Sequence, residues 1–282
     1  INGLSLGGIY AMIALGYTMV YGIAKMLNFA HGDIIMVGGY LIYVFVALGN
    51  PLLAVLIACV GCVILGVVIE KVAYKPLRGA SPLAVLITAI GVSYLLQSLA
   101  QIIFGSAPKM VTVYEFGAVN FMGATVQISA LVTLAVATVV MTALTLFVKY
   151  TRLGRAMIAV SEDKAAAQLM GINVNGIITI TFAIGSALAA LAGLFYLLKA
   201  PSISNTLGAM PGIKAFTAAV IGGIGSIPGA MLGGILLGMV ECTSYKITAI
   251  APYTDAIEFS VLIIILLVRP TGFLGKKRRE KV

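Results

Sequence analysis

The stretch LLAVLIACVGCVILGVVI, residues 52–69, contains no charged, amide or hydroxyl side chain. A helix needs about 20 residues to cross the hydrocarbon core of a bilayer, and this stretch reaches that length with its flanks. It lacks the alternation of apolar and polar residues that is typical of membrane β-strands. Because a helix satisfies its own backbone hydrogen bonds, the stretch predicts a transmembrane helix.

The same apolar character extends along the chain. Of its 282 residues, 61% are hydrophobic and 10% are charged, whereas a soluble domain has about 25% charged residues. We therefore predict an all-α polytopic membrane protein with about eight transmembrane helices and a possible half-span near residues 213–223. We expect one transmembrane domain over residues 1–275 and a basic cytoplasmic tail at 276–282. Besides residues 52–69, apolar runs occupy residues 4–23, 34–48, 83–104, 128–148, 177–198, 231–240 and 259–268.

The positive charges fall in a few loops, which predicts the orientation of the chain. Cytoplasmic loops of membrane proteins carry an excess of Lys and Arg, and three segments hold most of the 18 Lys and Arg. We place these segments in the cytoplasm and the loop 105–127, with only Lys109 and Glu115, outside. The side of the N-terminus stays open. The basic residues of the three segments are Lys71, Lys75 and Arg78; Lys149, Arg152, Arg155 and Lys164; and Arg269 with the tail.

Residues suited to catalysis or to metal binding are scarce. Cys59 and Cys62 have a C-x-x-C spacing, but one further Cys and a single His cannot complete a structural zinc site. No P-loop motif is present, and no basic soluble face offers a nucleic-acid site. We expect this chain to catalyse no reaction and to bind no metal, nucleotide or nucleic acid itself.

A charged stretch, TRLGRAMIAVSEDKAAAQLMGINV at residues 151–174, lies between two apolar runs. Ser161 is predicted to be a helix N-cap, and Glu162 and Asp163 would follow in the first turn, where the helix dipole favours negative charge. Gly171 suits the left-handed position that ends a helix. The predicted short helix has small side chains on much of its surface. It either docks a partner protein or simply connects two spans.

A break at residues 28–33 contains Asn28, His31 and Asp33 between apolar runs. Ionisable groups within a membrane are expected to be functional, so these residues are predicted to line or gate a translocation path. The alternative is a short interfacial turn, with His31 hydrogen-bonded to a neighbour and Gly32 supplying the bend.

A second break is predicted in GGIGSIPGAMLGG, residues 222–234, because glycines and a proline disfavour a continuous helix. The glycines at small-xxx-small spacing either pack helices closely or add a hinge or a contact with another subunit. Glu241 and Glu258, further along, are predicted to be interfacial or snorkelling residues. The break and packing residues are Gly222, Gly223, Gly225, Pro228, Gly229 and Gly233.

The sequence resembles the permeases of ABC importers in four stretches. EDKAAAQLMGIN (162–173) is similar to their cytoplasmic coupling loop, in which an acidic residue precedes two alanines and a glycine. GLSLGGIYAMIALGYTMVYGI (3–23), NFAHGDIIMVGGY (28–40) and FTAAVIGGIGSIPGAMLGGILLG (216–238) resemble permeases of the high-affinity branched-chain amino acid family, LivH type. The resemblance covers nearly the whole chain.

This resemblance implies a type II-like ABC importer permease with broken helices and a short cytoplasmic coupling helix at about residues 161–171. It implies a second permease subunit (LivM-like, or a second copy), two cytoplasmic ATPase subunits that bind ATP and Mg²⁺, and a periplasmic amino acid-binding protein. The implied substrates are branched-chain amino acids or related small amino acids and amides, and the implied location is a prokaryotic inner membrane. The implied coupling residues are Ser161, Glu162, Asp163, Ala165, Ala166 and Gly171.

An ion-gradient-driven secondary amino acid transporter is the alternative. Such proteins often contain inverted repeats and broken helices. The glycine breaks would suit this class, but no convincing repeat is visible and few acidic residues lie deep within the apolar runs. A passive channel would need a polar or charged constriction, which the sequence does not show.

Overall fold

A computed structural model describes residues 1–47, 49–114, 116–121 and 124–275. The basic tail predicted at 276–282 and Glu115 of the predicted external loop lie outside these residues. The described part is mostly helical, which confirms the all-α membrane fold. Its α-helices are α1 (Asn2–Ala24), α2 (His31–Val46), α3 (Pro51–Ile69), α4 (Pro82–Phe104), α5 (Ile128–Tyr150), α6 (Arg152–Glu162), α7 (Lys164–Leu169), α8 (Val174–Lys199), α9 (Ala209–Gly222), α10 (Ile227–Lys246) and α11 (Thr254–Val268).

Seven helical segments within the described residues are long and apolar enough to cross a membrane. They contain α1, α3, α4, α5, α8, α10 and α11. The run predicted at 34–48 forms α2, which has 16 residues and is about 24 Å long at 1.5 Å per residue. The predicted half-span forms α9, which has 14 residues. Both fall short of the roughly 30 Å hydrocarbon core, so two of the apolar segments are partial spans.

Helix α1 forms the centre of the bundle and is buried over most of its length. It packs against α5, α8, α9 and α10. Glycines permit its closest approach to α10: a Cβ on Gly7 would lie 2.6 Å from the Cα of Ile235, and one on Gly234 or Gly238 would meet the α1 backbone. Because lipid offers no hydrophobic drive for helix association, close packing of small residues is what holds such helices together.

The described parts of the three basic segments lie at one end of the bundle. Lys164 donates to the carbonyl of Ala24 at the end of α1, and Arg78 donates to Asn175 at the start of α8. The chain beyond α11 reaches the same end, where Phe273 N–H donates to the carbonyl of Ile221. The other end of α1 packs beside the C-terminal part of α10. Asn2 therefore lies at the end of the bundle opposite to the basic segments.

Short strands cover the opposite end. Strand β1 (Lys109–Met110) pairs with β4 (Ser202–Ile203), and β2 (Ala118–Phe121) pairs with β3 (Ala124–Gln127), both antiparallel. These strands belong to connections between helices. They lie in the loop predicted to be external and in the connection from α8 to α9.

Candidate functional site

The charged stretch forms two helices rather than the one predicted at 161–171. Helix α6 continues to Glu162, and α7 starts at Lys164. Asp163 between them has an extended backbone, and its carboxylate accepts from the N–H groups of Ala165 at 2.8 Å and Ala166 at 3.0 Å. The prediction of Ser161 as N-cap is wrong, because its hydroxyl donates back to the Ile158 carbonyl within α6.

The C-terminal end of α7 lies just before Gly171, as predicted. Gly171 has a φ of 81°, which a residue with a side chain adopts only with strain. Its N–H donates to the Gln168 carbonyl, and the Ile172 N–H donates to the Ala167 carbonyl, each at 3.0 Å. These two bonds form a Schellman motif, which satisfies carbonyls that a helix end would otherwise leave unpaired.

Helix α7 is anchored on one side and open on the other. Ala167 is buried, and the Lys164 ammonium donates to the carbonyl that ends α1 at 2.8 Å. Partial burial, with the positive charge of Arg78 as a smaller cause, lowers the pKa of Lys164. On the open side Leu169 is 89% and Met170 82% exposed. The segment therefore presents a small apolar surface, formed by Ala165, Ala166, Leu169 and Met170 and hereafter called the α7 surface.

The break at residues 28–33 lies inside the bundle. Lys25 has the left-handed conformation that ends α1, whereas Gly32 belongs to α2 and has no positive φ. His31 is buried against the middle of α1, beside Gly16 and 4.8 Å from the ring of Tyr17. The part of the interfacial-turn alternative in which Gly32 supplies the bend is therefore wrong.

The three polar residues of this break point to different surroundings. Asn28 Oδ1 accepts from the hydroxyl of Tyr74 at 2.8 Å, near the basic end of the bundle. His31 Nε2 has no hydrogen-bond partner among the described residues. Asp33 lines a cavity of about 260 Å³ between α1, α2, α4 and α9. Of the three, only Asp33 borders this cavity.

The cavity has one polar end and a largely apolar wall. Gln97 Nε2 donates to Asp33 Oδ1 at 2.9 Å and to Ser93 Oγ at 3.2 Å. Ser93 and Gln97 are four residues apart on α4 and therefore share one helix face. The four-residue spacing of Ser93 and Gln97 is visible in the sequence and indicates a polar face on an apolar helix. Neither residue was predicted to belong to the site. The rest of the lining consists of Tyr17, Phe29, Gly32, Ile90, Tyr94, Gly208, Ala209, Gly212 and Ile213.

Comparisons with known proteins identify the family of this chain. A family model described as branched-chain amino acid transport system / permease component matches residues 1–266. The chain belongs to this permease family. It is 43% identical to the high-affinity branched-chain amino acid transport system permease protein BraD of Pseudomonas aeruginosa, over 100% of this chain and 96% of that protein. It is 42% identical to LivH of Escherichia coli K12 with the same coverage.

The predicted resemblance is thus confirmed, and family membership favours the ABC importer over the secondary transporter. A solved chain of PsaBC from Streptococcus pneumoniae in complex with Fab shares the fold of the permease. Its TM-score is 0.51, with 14% identity over 99% of this chain and 92% of that one. At this identity the likeness concerns the fold alone.

The glycine-rich break of the permease separates α9 from α10. Helix α9 ends at Gly222 and α10 begins at Ile227, so a turn is present where it was predicted. Gly223 and Gly225 have φ values of 102° and 94°, which lets the chain reverse without strain. Pro228 lies in the first turn of α10, where its missing N–H does no harm.

The remaining glycines of this break allow close backbone contact. A Cβ on Gly222 would meet the backbone of Gly229, and one on Gly233 would meet the carbonyl of Ala218. These contacts hold α9 and α10 side by side. The geometry corresponds to the packing interpretation of the small residues.

An ionic cluster, formed by the buried residues Lys214, Glu241 and Glu258 and the half-exposed Asp255, was not predicted from the sequence. The Lys214 ammonium lies 2.8 Å from Asp255, 3.3 Å from Glu241 and 3.3 Å from Glu258. The hydroxyl of Tyr10 donates to Glu241 at 2.6 Å. The cluster thereby joins α1, α9, α10 and α11.

The prediction that Glu241 and Glu258 are interfacial is wrong. Both are buried, and Glu258 has no exposed surface. They tolerate burial because Lys214 neutralises part of their charge. Lys214 is a charged residue in the apolar segment 213–223, and an ionisable residue in such a segment is expected to pair with a buried partner. This feature of the sequence indicates the cluster.

Proposed function

We propose that this permease is the membrane subunit of an ATP-driven importer of branched-chain amino acids or related small amino acids and amides. Two cytoplasmic ATPase subunits bind ATP and Mg²⁺, and one of them docks on the α7 surface. A second permease subunit, LivM-like or a second copy, completes the pathway, and a periplasmic binding protein delivers the substrate. The complex lies in a prokaryotic inner membrane.

The observation that carries the docking proposal is the combination of anchoring and exposure in α7. Asp163 caps the start of the helix, Gly171 ends it, and Lys164 ties it to the end of α1. A force applied to the exposed side of α7 is therefore transmitted through Lys164 to α1, the central helix of the bundle. The exposed apolar side chains of the α7 surface supply the contact area that a protein partner would bury.

The test compares two arginine substitutions at exposed alanines near the same end of the bundle. Ala166→Arg places a charge on the α7 surface, and Ala80→Arg places one in the loop before α4. We expect Ala166→Arg to weaken co-purification of the ATPase subunits by roughly 100-fold, because a buried unpaired charge is costly. Ala80→Arg should leave co-purification unchanged.

Leucine uptake into proteoliposomes completes this test. With the parent complex, uptake should require ATP and the separate binding protein and should survive collapse of the ion gradients. Ala166→Arg should abolish it. If no ATPase subunit co-purifies with the parent chain and uptake instead follows an ion gradient, the proposed function is wrong.

A further inference from the structure

The cavity between α1, α2, α4 and α9 contains a buried carboxylate without a counter-ion. Asp33 is 2% exposed and forms no salt bridge within the described part of the chain. Gln97 donates to its Oδ1 at 2.9 Å, and Ser93 is a second side-chain hydrogen-bond partner. A carboxylate has about four acceptor positions, so acceptor capacity remains. Because buried charges in membranes are generally paired, the cavity offers a place for a cation.

Two helices begin at the wall of this cavity. Gly32 and Asp33 lie in the first turn of α2, and Gly208 and Ala209 lie at the start of α9. Neither helix has a side-chain cap at its N-terminus. The N–H groups of His31, Asp33 and Ala209 already donate to nearby carbonyls, so the attraction of these starts for an anion comes from the positive end of the helix dipole. The carboxylate of Asp33 therefore has a region of positive potential beside it.

Glycines make this meeting of the two helix starts possible. A Cβ on Gly208 would meet the carbonyl of Gly32, and one on Gly212 would lie 3.0 Å from the Cα of Gly32. The two backbones thus approach each other at the cavity wall. Both α2 and α9 are too short to span the membrane, and the glycines that meet at their starts, Gly32 and Gly208, are buried.

The rest of the cavity suits an apolar side chain. Tyr17, Phe29, Ile90, Tyr94 and Ile213 contribute rings and aliphatic groups to its wall. Its 260 Å³ is far more than the roughly 10–15 Å³ that one water needs on this measure. Such a mixture, apolar walls with a few polar groups at one end, is typical of small-molecule sites.

We infer that this cavity binds the zwitterion of an apolar α-amino acid, with its ammonium on Asp33 and its carboxylate near the starts of α2 and α9. The inference rests on the proposed function, which it deepens by naming a contact point for the substrate inside the permease. Gln97 positions the Asp33 carboxylate, and Ser93 positions Gln97. The side chain of the amino acid lies against the aromatic and aliphatic wall.

Protection of a cysteine from a small neutral methanethiosulfonate tests this inference. Cys59, Cys62 and Cys242 are first replaced by alanine, and Ala209→Cys is introduced as the probe, because Ala209 lines the cavity and its side chain makes none of the proposed polar contacts. L-Leucine should slow modification of this cysteine. Neither 4-methylpentanoate, which lacks the ammonium, nor 3-methylbutylamine, which lacks the carboxylate, should protect as well. Ala80→Cys, in a loop outside the cavity, should react at the same rate with and without leucine.

Asp33→Asn keeps the shape of the side chain and removes its charge. Because a charge-assisted hydrogen bond is lost, the leucine concentration that gives half protection should rise by roughly 10- to 100-fold. If Asp33→Asn fails to fold, the comparison of the three ligands on Ala209→Cys decides alone. Equal protection by leucine and 4-methylpentanoate, or protection by sodium in place of choline without leucine, overturns the inference.

The labelling needs no ATPase subunit, so its result is separate from the test of the proposed function. A complex that couples leucine uptake to ATP but shows no protection by leucine would contradict the site and leave the importer function in place. Protection by leucine in a chain with which no ATPase subunit co-purifies, and whose uptake follows an ion gradient, would support the site and contradict the importer function.

Discussion

At the residue level, the start of α7 depends on the carboxylate of Asp163. Replacing this residue by alanine removes the acceptor for the N–H groups of Ala165 and Ala166. Loss of such a cap costs about 0.5–2 kcal/mol. We expect Asp163→Ala to fray the first turn of α7, seen as faster hydrogen exchange of these two amides and as weaker ATPase docking.

Asp163→Asn is the matched control, because asparagine caps a helix about as well as aspartate. It should keep the slow exchange of the parent chain while removing the charge. Equal exchange in all three proteins would contradict the capping role. The polar residues 161–163 predict a helix start, but Ser161 was the wrong cap. The distinction depends on the backbone angle at Asp163, which local composition does not determine.

At the level of helices, the contact between α1 and α10 depends on glycines in both. A methyl group added at Gly234 would meet the backbone of Ala11, which cannot move aside as a flexible side chain can. Overpacking of this kind costs about 1–3 kcal/mol. We expect Gly234→Ala to lower the thermal unfolding midpoint in detergent and to reduce the yield of folded protein.

Gly91→Ala is the matched control within another apolar helix. A Cβ at Gly91 would have nothing within 4 Å, so the substitution should leave the unfolding midpoint unchanged or raise it slightly. Similar losses for Gly234→Ala and Gly91→Ala would indicate a general intolerance of glycine replacement rather than a packing contact. The sequence pattern did predict small-residue packing, because glycine spacing is a local property. It did not identify Gly7 of α1 as a partner of α10.

The apolar runs predicted most helices for a simple reason: hydrophobic length is read directly from the chain. The two partial spans, α2 and α9, were harder. The apolar run at 34–48 predicts a full span, whereas α2 starts at His31, inside the bundle. This arrangement depends on the close contact between Gly32 and Gly208. The two residues are far apart in the sequence, so no local pattern predicts their contact.

At the level of the whole molecule, the cluster of Lys214, Glu241, Asp255 and Glu258 connects four helices at one point. Its members are distant in sequence, so their pairing could not be predicted from local spacing. Asp255 is half exposed and remains solvated, whereas Glu241 and Glu258 depend on Lys214 for charge compensation. Removing one partner of a buried ion pair typically costs about 3–5 kcal/mol.

We therefore expect Lys214→Met to lower the unfolding midpoint strongly, because two buried carboxylates lose their cation. Lys246→Met, which removes an exposed lysine at the end of α10, should have little effect. Adding Glu241→Gln and Glu258→Gln to Lys214→Met should recover much of the lost stability, since the uncompensated charges disappear with the lysine. Thermal unfolding of the four proteins in one detergent measures this. A triple variant no more stable than Lys214→Met would show that the ammonium stabilises the bundle by something other than charge compensation.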